Sequence, residues 1–406
     1  MGPEVRWLEL HRELRGKVET AGKVDVRSRE DLAAVYFPGS MEPAKAIFRN
    51  PELSFQLTAR GNSVAIVSDG SAVMGIGNVG PCAALPVLEG KALLFRQLAD
   101  INGVPVAIKA RRTQEIVDTV QSISPNFAAV DLEDISAPRC FDVENALREQ
   151  MNIPVLHDDQ HGTAIALLAS LINGCRMTGK RLGDLRILIQ GAGYVGIAFA
   201  KLLQHLGLDR RYAASVREIV VCDSRGPIYE GRGFLNRAKE EIARRTNRSR
   251  RAGPLESVLR GMDVFVGASA ANVLNAALVR AMNADPILLA LANPVPEITR
   301  EEGYRAGAAL VCTGLQDDPN QITNVLVFPG LFRGALDARA YEINSLMKLH
   351  AAYALAELVR EPARDRLLPD PLDRATVRAV AAAVRNAAHN TGVACVLGGE
   401  PQRDAG

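Results

Sequence analysis

Three acidic side chains sit where the chain is expected to bend: Glu133 and Asp134 in VDLEDI, and Asp159 in HDDQHGTA. Hard carboxylate oxygens of this kind, at the edge of a cofactor-binding unit, suit Mg²⁺ or Mn²⁺ rather than zinc. Spacing alone does not separate that chemistry from a solvated turn, because adjacent carboxylates after an apolar strand commonly do no more than end it. His157 and His161 lie in the same stretch, but no cysteine partners them. They read as hydrogen-bonded turn residues rather than soft-metal ligands.

A second constellation is more specific. The run LRILIQGAGYVGIAFAKLL predicts a strand, a tight turn and a helix, with Gly191, Gly193 and Gly196 in G-x-G-x-x-G spacing around Ala192, Tyr194 and Val195. The first glycine permits the turn, the second lets a pyrophosphate approach the backbone, and the third lets helix and strand pack closely. Free N–H groups and the helix dipole then hold the anion. A following strand, Glu218 to Cys222, ends in Asp223, placed to bond the adenosine ribose hydroxyls. The interval from glycines to acid is lengthened by the polar insert Asp209 to Arg217. Asp223 favours a free ribose, whereas Ser224 and Arg225 are suited to a 2′-phosphate, so NAD and NADP both stay open.

Elements that position such groups follow from the hydrophobic pattern. Strand-like runs occur at Val64 to Val67, Val104 to Ile108 and Ala128 to Leu132, with helical patterns through Leu88 to Leu98 and Ile116 to Ile123. A glycine-rich loop spans Met74 to Gly80. From Ile153 apolar runs alternate with helices, and further strands at Val264 to Val266 and Ile287 to Ala290 continue the rhythm of a doubly wound parallel sheet. With 406 residues, two domains are expected. The boundary is drawn at Pro154, giving residues 1–153 and 154–390, with 391–406 as a loose tail.

Composition narrows the function classes. A formal net charge of +2 leaves no large field for nucleic acid or an anionic membrane. The arginines at 244, 245, 248, 250 and 251 have no interleaved aromatics and read as a solvated helix end. Six scattered cysteines form no C-x-x-C pair, which favours a reducing compartment. The N-terminus is charged from its fourth residue, unlike a signal peptide, and no run of about eighteen apolar residues suggests a membrane span. A cytoplasmic location is expected.

The segments VYFPGSMEP, VSDGSAVMGIGNVGP, LEGKALLF, VDLEDI, HDDQHGTA, ALANPVPEI and PNQITNVLVFPGLFRGAL, in this order from His11 to Leu336, resemble those of the malic enzymes of the short prokaryotic type. The resemblance implies an α/β chain, with an N-terminal α/β malic-enzyme domain and a C-terminal Rossmann-type doubly wound dinucleotide-binding domain. It implies oxidative decarboxylation of (S)-malate with NAD or NADP and Mg²⁺ or Mn²⁺, in a homodimer or higher homo-oligomer in which Lys91 is offered across the interface. Tyr36 matches the family's general acid and Lys91 its general base. Glu133, Asp134 and Asp159 match the metal ligands, and Asp158 an acid that interacts with the lysine. Asn293 and Asn324 match asparagines that bond the substrate's carboxylates, with Asn293 also beside the dinucleotide. Without the family, Tyr36 reads as packing and Lys91 as part of a solvated helix face, though Lys91 has apolar neighbours in Ala92, Leu93, Leu94 and Phe95.

The sequence departs from the family pattern at Phe37 and Ser40, where threonine and valine are usual. It departs again at Leu315 and Gln316, in place of Arg-Ser, and at Thr323, in place of asparagine. These changes bear on substrate shape rather than on any implied catalytic group. Two alternatives stand beside the leading expectation: a malolactic conversion of malate to lactate on the same site, and a binding protein that senses dicarboxylate or nucleotide without turnover.

Overall fold

The computed structural model describes residues 3–110, 112–209 and 215–395. Two parallel sheets organise it. The first contains β1 (Ser63–Ser68), β2 (Asn102–Ala107), β3 (Ala129–Leu132) and β4 (Val155–His157), in the spatial order β2-β1-β3-β4. β1 and β3 are buried along their whole length, as befits strands covered on both faces.

The second sheet contains β5 (Arg186–Gln190), β6 (Glu218–Asp223), β7 (Gly226–Pro227), β8 (Val264–Gly267), β9 (Ile287–Ala290) and β10 (Leu310–Thr313). Its order is β10-β9-β8-β5-β6-β7, with only β7 antiparallel. The order reverses at β5, whose carboxyl end carries the glycine turn. In open α/β sheets, that reversal opens the crevice where ligands bind.

The border between the layers differs from the expected one. β4 pairs with β3, so Val155, Leu156 and His157 belong to the first sheet, although they follow Pro154. A strand of three residues is too short to show a period, which is why the pattern hides it. The Asp158–Thr178 helix begins at the next residue. It is buried along most of its length, through an apolar stretch from Ala164 to Ala169, and it ends at Gly179 with φ 70°.

The Pro81–Ala99 helix buries Ala84, Leu88, Lys91, Ala92, Phe95 and Ala99 on one face. Lys91 therefore lies on the packed side and not on a wet one. Phe95 meets Phe328 and Phe332 edge-on, at 4.8 and 5.4 Å between ring centres. These contacts fasten the first domain's helix to the Phe328–Asp337 helix near the C-terminus. Of the stretch expected to be a loose tail, residues 391–395 are docked instead: Val393 is buried and its carbonyl accepts from the Tyr341 N–H. The rest of that tail, 396–406, lies outside the described residues, as do 210–214 of the polar insert.

All six cysteines are unpaired, and Cys140, Cys175, Cys222 and Cys312 are buried. No helix among the described residues is long and apolar enough to cross a membrane.

Candidate active site

Lys91 reaches from its helix to the carboxyl ends of the first sheet's strands. Its Nζ lies 2.5 Å from Glu133 Oε2, 2.8 Å from Asp131 Oδ2 and 2.9 Å from Asp158 Oδ2. The ammonium also sits over the Phe328 ring, 4.8 Å from its centre. Asn324 donates to the same Asp158 oxygen at 2.7 Å. Burial alone would depress the lysine, but Asp131, Asp158 and Glu133 together hold its ammonium well above the ordinary range.

Asp131 was not singled out by sequence reasoning, yet it is fully buried on β3. The signal was available: a charged residue inside an apolar strand covered on both faces demands a buried partner.

Glu133 and Asp134 end β3 as expected, and Asp159 stands on the first turn of the following helix. Asp134 adopts φ 54°, and its N–H donates to Asp159 Oδ2 at 2.8 Å while its carbonyl accepts from the Ala72 N–H. That left-handed turn, which costs a non-glycine residue about 1 kcal/mol, is thus held from both sides. Burial raises the carboxyls of Glu133, Asp134 and Asp159, Asp134 to about 8 and Asp159 to about 6. Burial likewise raises Asp158, to about 6, against the pull of Lys91.

Whether these residues suit a divalent cation is decided by their charge. Asp131, Glu133, Asp134, Asp158 and Asp159 are all buried, and Lys91 is the cation among them. Asp134 Oδ2 and Asp158 Oδ1 are buried without a hydrogen-bond partner. Among the described residues no three side chains converge as a finished coordination shell. The excess of buried negative charge, the orphaned oxygens and the all-oxygen donor set nevertheless fit a hard divalent ion.

His157 and His161 serve the scaffold. The His157 ring is buried with Nε2 3.3 Å from the Ile135 carbonyl, and its backbone N–H donates to Glu144 at 3.1 Å. His161 Nε2 lies 2.9 Å from Glu144.

The dinucleotide turn stands against this cluster: Tyr194 stacks on His157 at 6.1 Å, and the acids Asp159, Asp134 and Glu133 add to the burial that raises its phenol. Gly191 has φ 120°, and a Cβ there would lie 2.1 Å from the Ala268 carbonyl oxygen. A Cβ on Gly196 would meet the Gly191 oxygen at 1.9 Å, whereas one on Gly193 would meet nothing within 4 Å. The three glycines thus provide the turn, the open face and the close packing that the fingerprint requires.

Two family models match the chain: malic enzyme, N-terminal domain, over residues 15–115, and malic enzyme, NAD binding domain, over residues 160–389. The chain is 48% identical to a bifunctional malic/malolactic enzyme of Bacillus subtilis, covering 95% of this chain and 93% of that one. It is 45% identical to an NAD-dependent malic enzyme of Geobacillus stearothermophilus, covering 93% and 78% respectively. A crystal structure of an NAD-dependent malic enzyme from Thermotoga maritima superposes with a TM-score of 0.89 at 41% identity, covering 93% of this chain and 98% of that one. The chain belongs to the malic enzyme family.

In this malic enzyme Asp223 is not a free ribose acceptor. Arg232 reaches it through both Nη atoms, at 2.9 and 2.6 Å, Lys239 at 2.7 Å, and the Arg225 N–H at 2.9 Å. Burial pushes this carboxyl up, but Arg232 and Lys239 hold it well below the usual carboxylate range. A cavity of about 720 Å³ opens beside it, lined by Gln190, Arg225, Arg232 and Phe234. Sequence reasoning missed Arg232 and Lys239, which follow Asp223 without any recognisable motif.

Asn293 stands on an exposed loop facing the glycine-rich one, its Nδ2 4.0 Å from Met74 Sδ. That loop is stapled by Glu297, fully buried, whose carboxylate accepts from the Ser269 and Ala292 N–H groups. Tyr36 is the residue the structure does not bring in. Its side chain is 75% exposed and makes no hydrogen bond to the acidic cluster among the described residues.

Proposed function

We propose that this chain oxidatively decarboxylates (S)-malate to pyruvate and CO₂ with NAD or NADP, and that Glu133, Asp134 and Asp159 hold Mg²⁺ or Mn²⁺. The observation that carries this reading is Lys91, buried among Asp131, Glu133 and Asp158 beside a complete dinucleotide turn. When bound, the dinucleotide accepts a hydride from C2 and the cation acts as a Lewis acid at the C2 oxygen.

Lys91 is the base for the C2 hydroxyl proton. The field that holds its own proton comes from carboxylates, and it weakens once their charge is committed to a divalent ion. Asp158 fixes the lysine and is itself fixed by Asn324. Asn293, on its exposed loop, and Asn324, beside Asp158, orient the substrate's carboxylates. Loss of CO₂ leaves an enolate whose C3 needs a proton, and a phenol still carries one at neutral pH.

Tyr36 is that donor, supplied by a second copy of the chain. It stands in a segment whose Trp7, Leu14, Leu32, Val35, Phe37 and Phe48 are all exposed. An apolar surface of this extent is a binding face, and a homodimer would cover it. This division of labour reverses the one implied by the resemblance, since Lys91 reaches its acids within one chain.

Malate-dependent formation of reduced dinucleotide, lost on chelation and restored by Mn²⁺, is the expected result. Absence of malate turnover, or turnover indifferent to chelation, refutes the proposal. A second reading is malolactic conversion, favoured by the bifunctional relative. Lactate formed without net reduced dinucleotide would establish it.

A further inference from the structure

A partly open cavity of about 200 Å³ lies among the Arg139–Gln150, Asp158–Thr178, Tyr194–Gln204 and Ser345–Leu358 helices. Its wall includes Glu144, Arg148, Gln160, His161, Lys201 and Lys348. It is separate from the cluster around Lys91, and the proposed reaction makes no use of it.

Most of these polar groups already have partners. Glu144 accepts from the His157 N–H and from His161. Arg148 pairs with Glu342 at 3.4 Å, and Lys201 with Glu241 at 2.7 Å. Two groups differ. Gln160 is only 2% exposed, and its Nε2 is a buried donor with no hydrogen-bond partner. Lys348 is 7% exposed and forms no salt bridge among the described residues. Burial holds its ammonium down to about 7, against the pull of Glu144.

An unpartnered buried amide such as that of Gln160 costs about 1–3 kcal/mol. Such groups persist in a well-packed interior when something else completes them. Both are donors, so the missing partner is an acceptor. The wall carries Arg148, Lys201 and Lys348 against Glu144 and Glu241, and a bound anion would hold the Lys348 proton in place, so an anionic acceptor fits best. The volume corresponds to several waters at about 30 Å³ each, enough for a compact oxyanion.

We propose that this cavity is a binding site for a small oxyanion, of the phosphate or carboxylate kind, held between Lys348 Nζ and Gln160 Nε2. Gln160 directly follows Asp158 and Asp159 on the same helical turn, and Glu144 across the cavity holds the His157 peptide that precedes them. An anion seated here is therefore one side chain removed from the acidic cluster, and its binding is communicated to that cluster through a single turn of helix.

Isothermal titration calorimetry on the full chain tests the proposal, with inorganic phosphate and acetate as probes. Sodium chloride at matched ionic strength is the control, and excess NAD or NADP fills the pyrophosphate cradle. Saturable binding of one phosphate or one acetate per chain is expected, and whichever binds identifies the source. Lys348→Met and Gln160→Met should each weaken that binding at least tenfold, while Lys348→Arg retains it. Circular dichroism and unchanged dinucleotide affinity check that the Lys348 variants are folded. Should Lys348→Met fail to fold, Gln160→Met and Lys348→Arg still decide the matter. Binding no stronger than the chloride control, binding abolished by the dinucleotide, or equal binding by wild type and both methionine variants overturns the proposal.

Discussion

Removing the divalent cation should make the stability of this protein depend on pH in a specific direction. Burial raises Asp158 and Asp159 from 3.8 to about 6 and Asp134 to about 8. A carboxyl whose folded pKa lies above its unfolded value costs nothing below the unfolded pKa. As pH rises through that value the unfolded chain ionises first, and the folded state loses stability until its own pKa is passed. For Asp158 and Asp159 the loss is complete near pH 6, whereas for Asp134 it continues to about pH 8. Between pH 6 and 8 the remaining interval is about two pKa units, or about 3 kcal/mol at 1.36 kcal/mol per unit. Unfolding entropy grows with chain length, so in a chain this long 1 kcal/mol moves Tm by about 1 °C. Lys348, held down to about 7, works the other way: above pH 7 the unfolded chain keeps a proton that the folded one has lost, which returns about 1.4 kcal/mol by pH 8. The chelated protein should therefore melt about 1–2 °C lower at pH 8 than at pH 6. Mn²⁺ binds the ionised acids, so it should raise Tm more at pH 8 than at pH 6 and erase the difference. Scanning calorimetry at both pH values, with chelator and with Mn²⁺, measures this directly. An identical pH slope in both, or a slope unaltered by Asp134→Asn, would refute the reasoning.

Lys91→Ala should abolish malate oxidation and recover part of it in methylamine, whereas Tyr36→Phe should lose the final protonation and gain nothing from amines. Rescue of both or of neither sinks the assignment of base and acid. Asp223→Ala frees Arg232 and Lys239, so KM should fall for NADP and rise for NAD; parallel changes would show that this corner does not discriminate. Gly196→Ala forces a Cβ against the Gly191 oxygen and should cut dinucleotide affinity at least tenfold in a fluorescence titration, with unchanged affinity counting against the tight turn.

The sequence makes the dinucleotide turn legible because its function is local: three glycines, a strand and a helix lie within one short stretch. Glu133, Asp134 and Asp159 are legible as candidates for the same reason, each lying at an element's end. Lys91 is different. Read from its helix alone it belongs to a solvated face, Asp158 is expected beside it only by resemblance, and the fold alone shows that it packs inward against Asp131. β4 went unread because a strand of three residues carries no period, and Arg232 and Lys239 because ion pairs formed through a loop leave no pattern. Tyr36 was legible only by resemblance, and in a single chain its side chain is exposed rather than drawn into the acidic cluster.

The Asp158–Thr178 helix begins at the residue directly after the first sheet's last strand and runs on between the two layers. The seam between domains and the acidic ends of the site therefore coincide. Chimeras that exchange dinucleotide domains between relatives cannot be cut at this border as though it were a linker. A crossover between His157 and Asp158 would take Asp158 and Asp159 from one parent and Lys91, Asp131 and Glu133 from the other. Modular exchange of cofactor preference should instead be sought near Asp223, where the changing residues lie downstream of the shared helix.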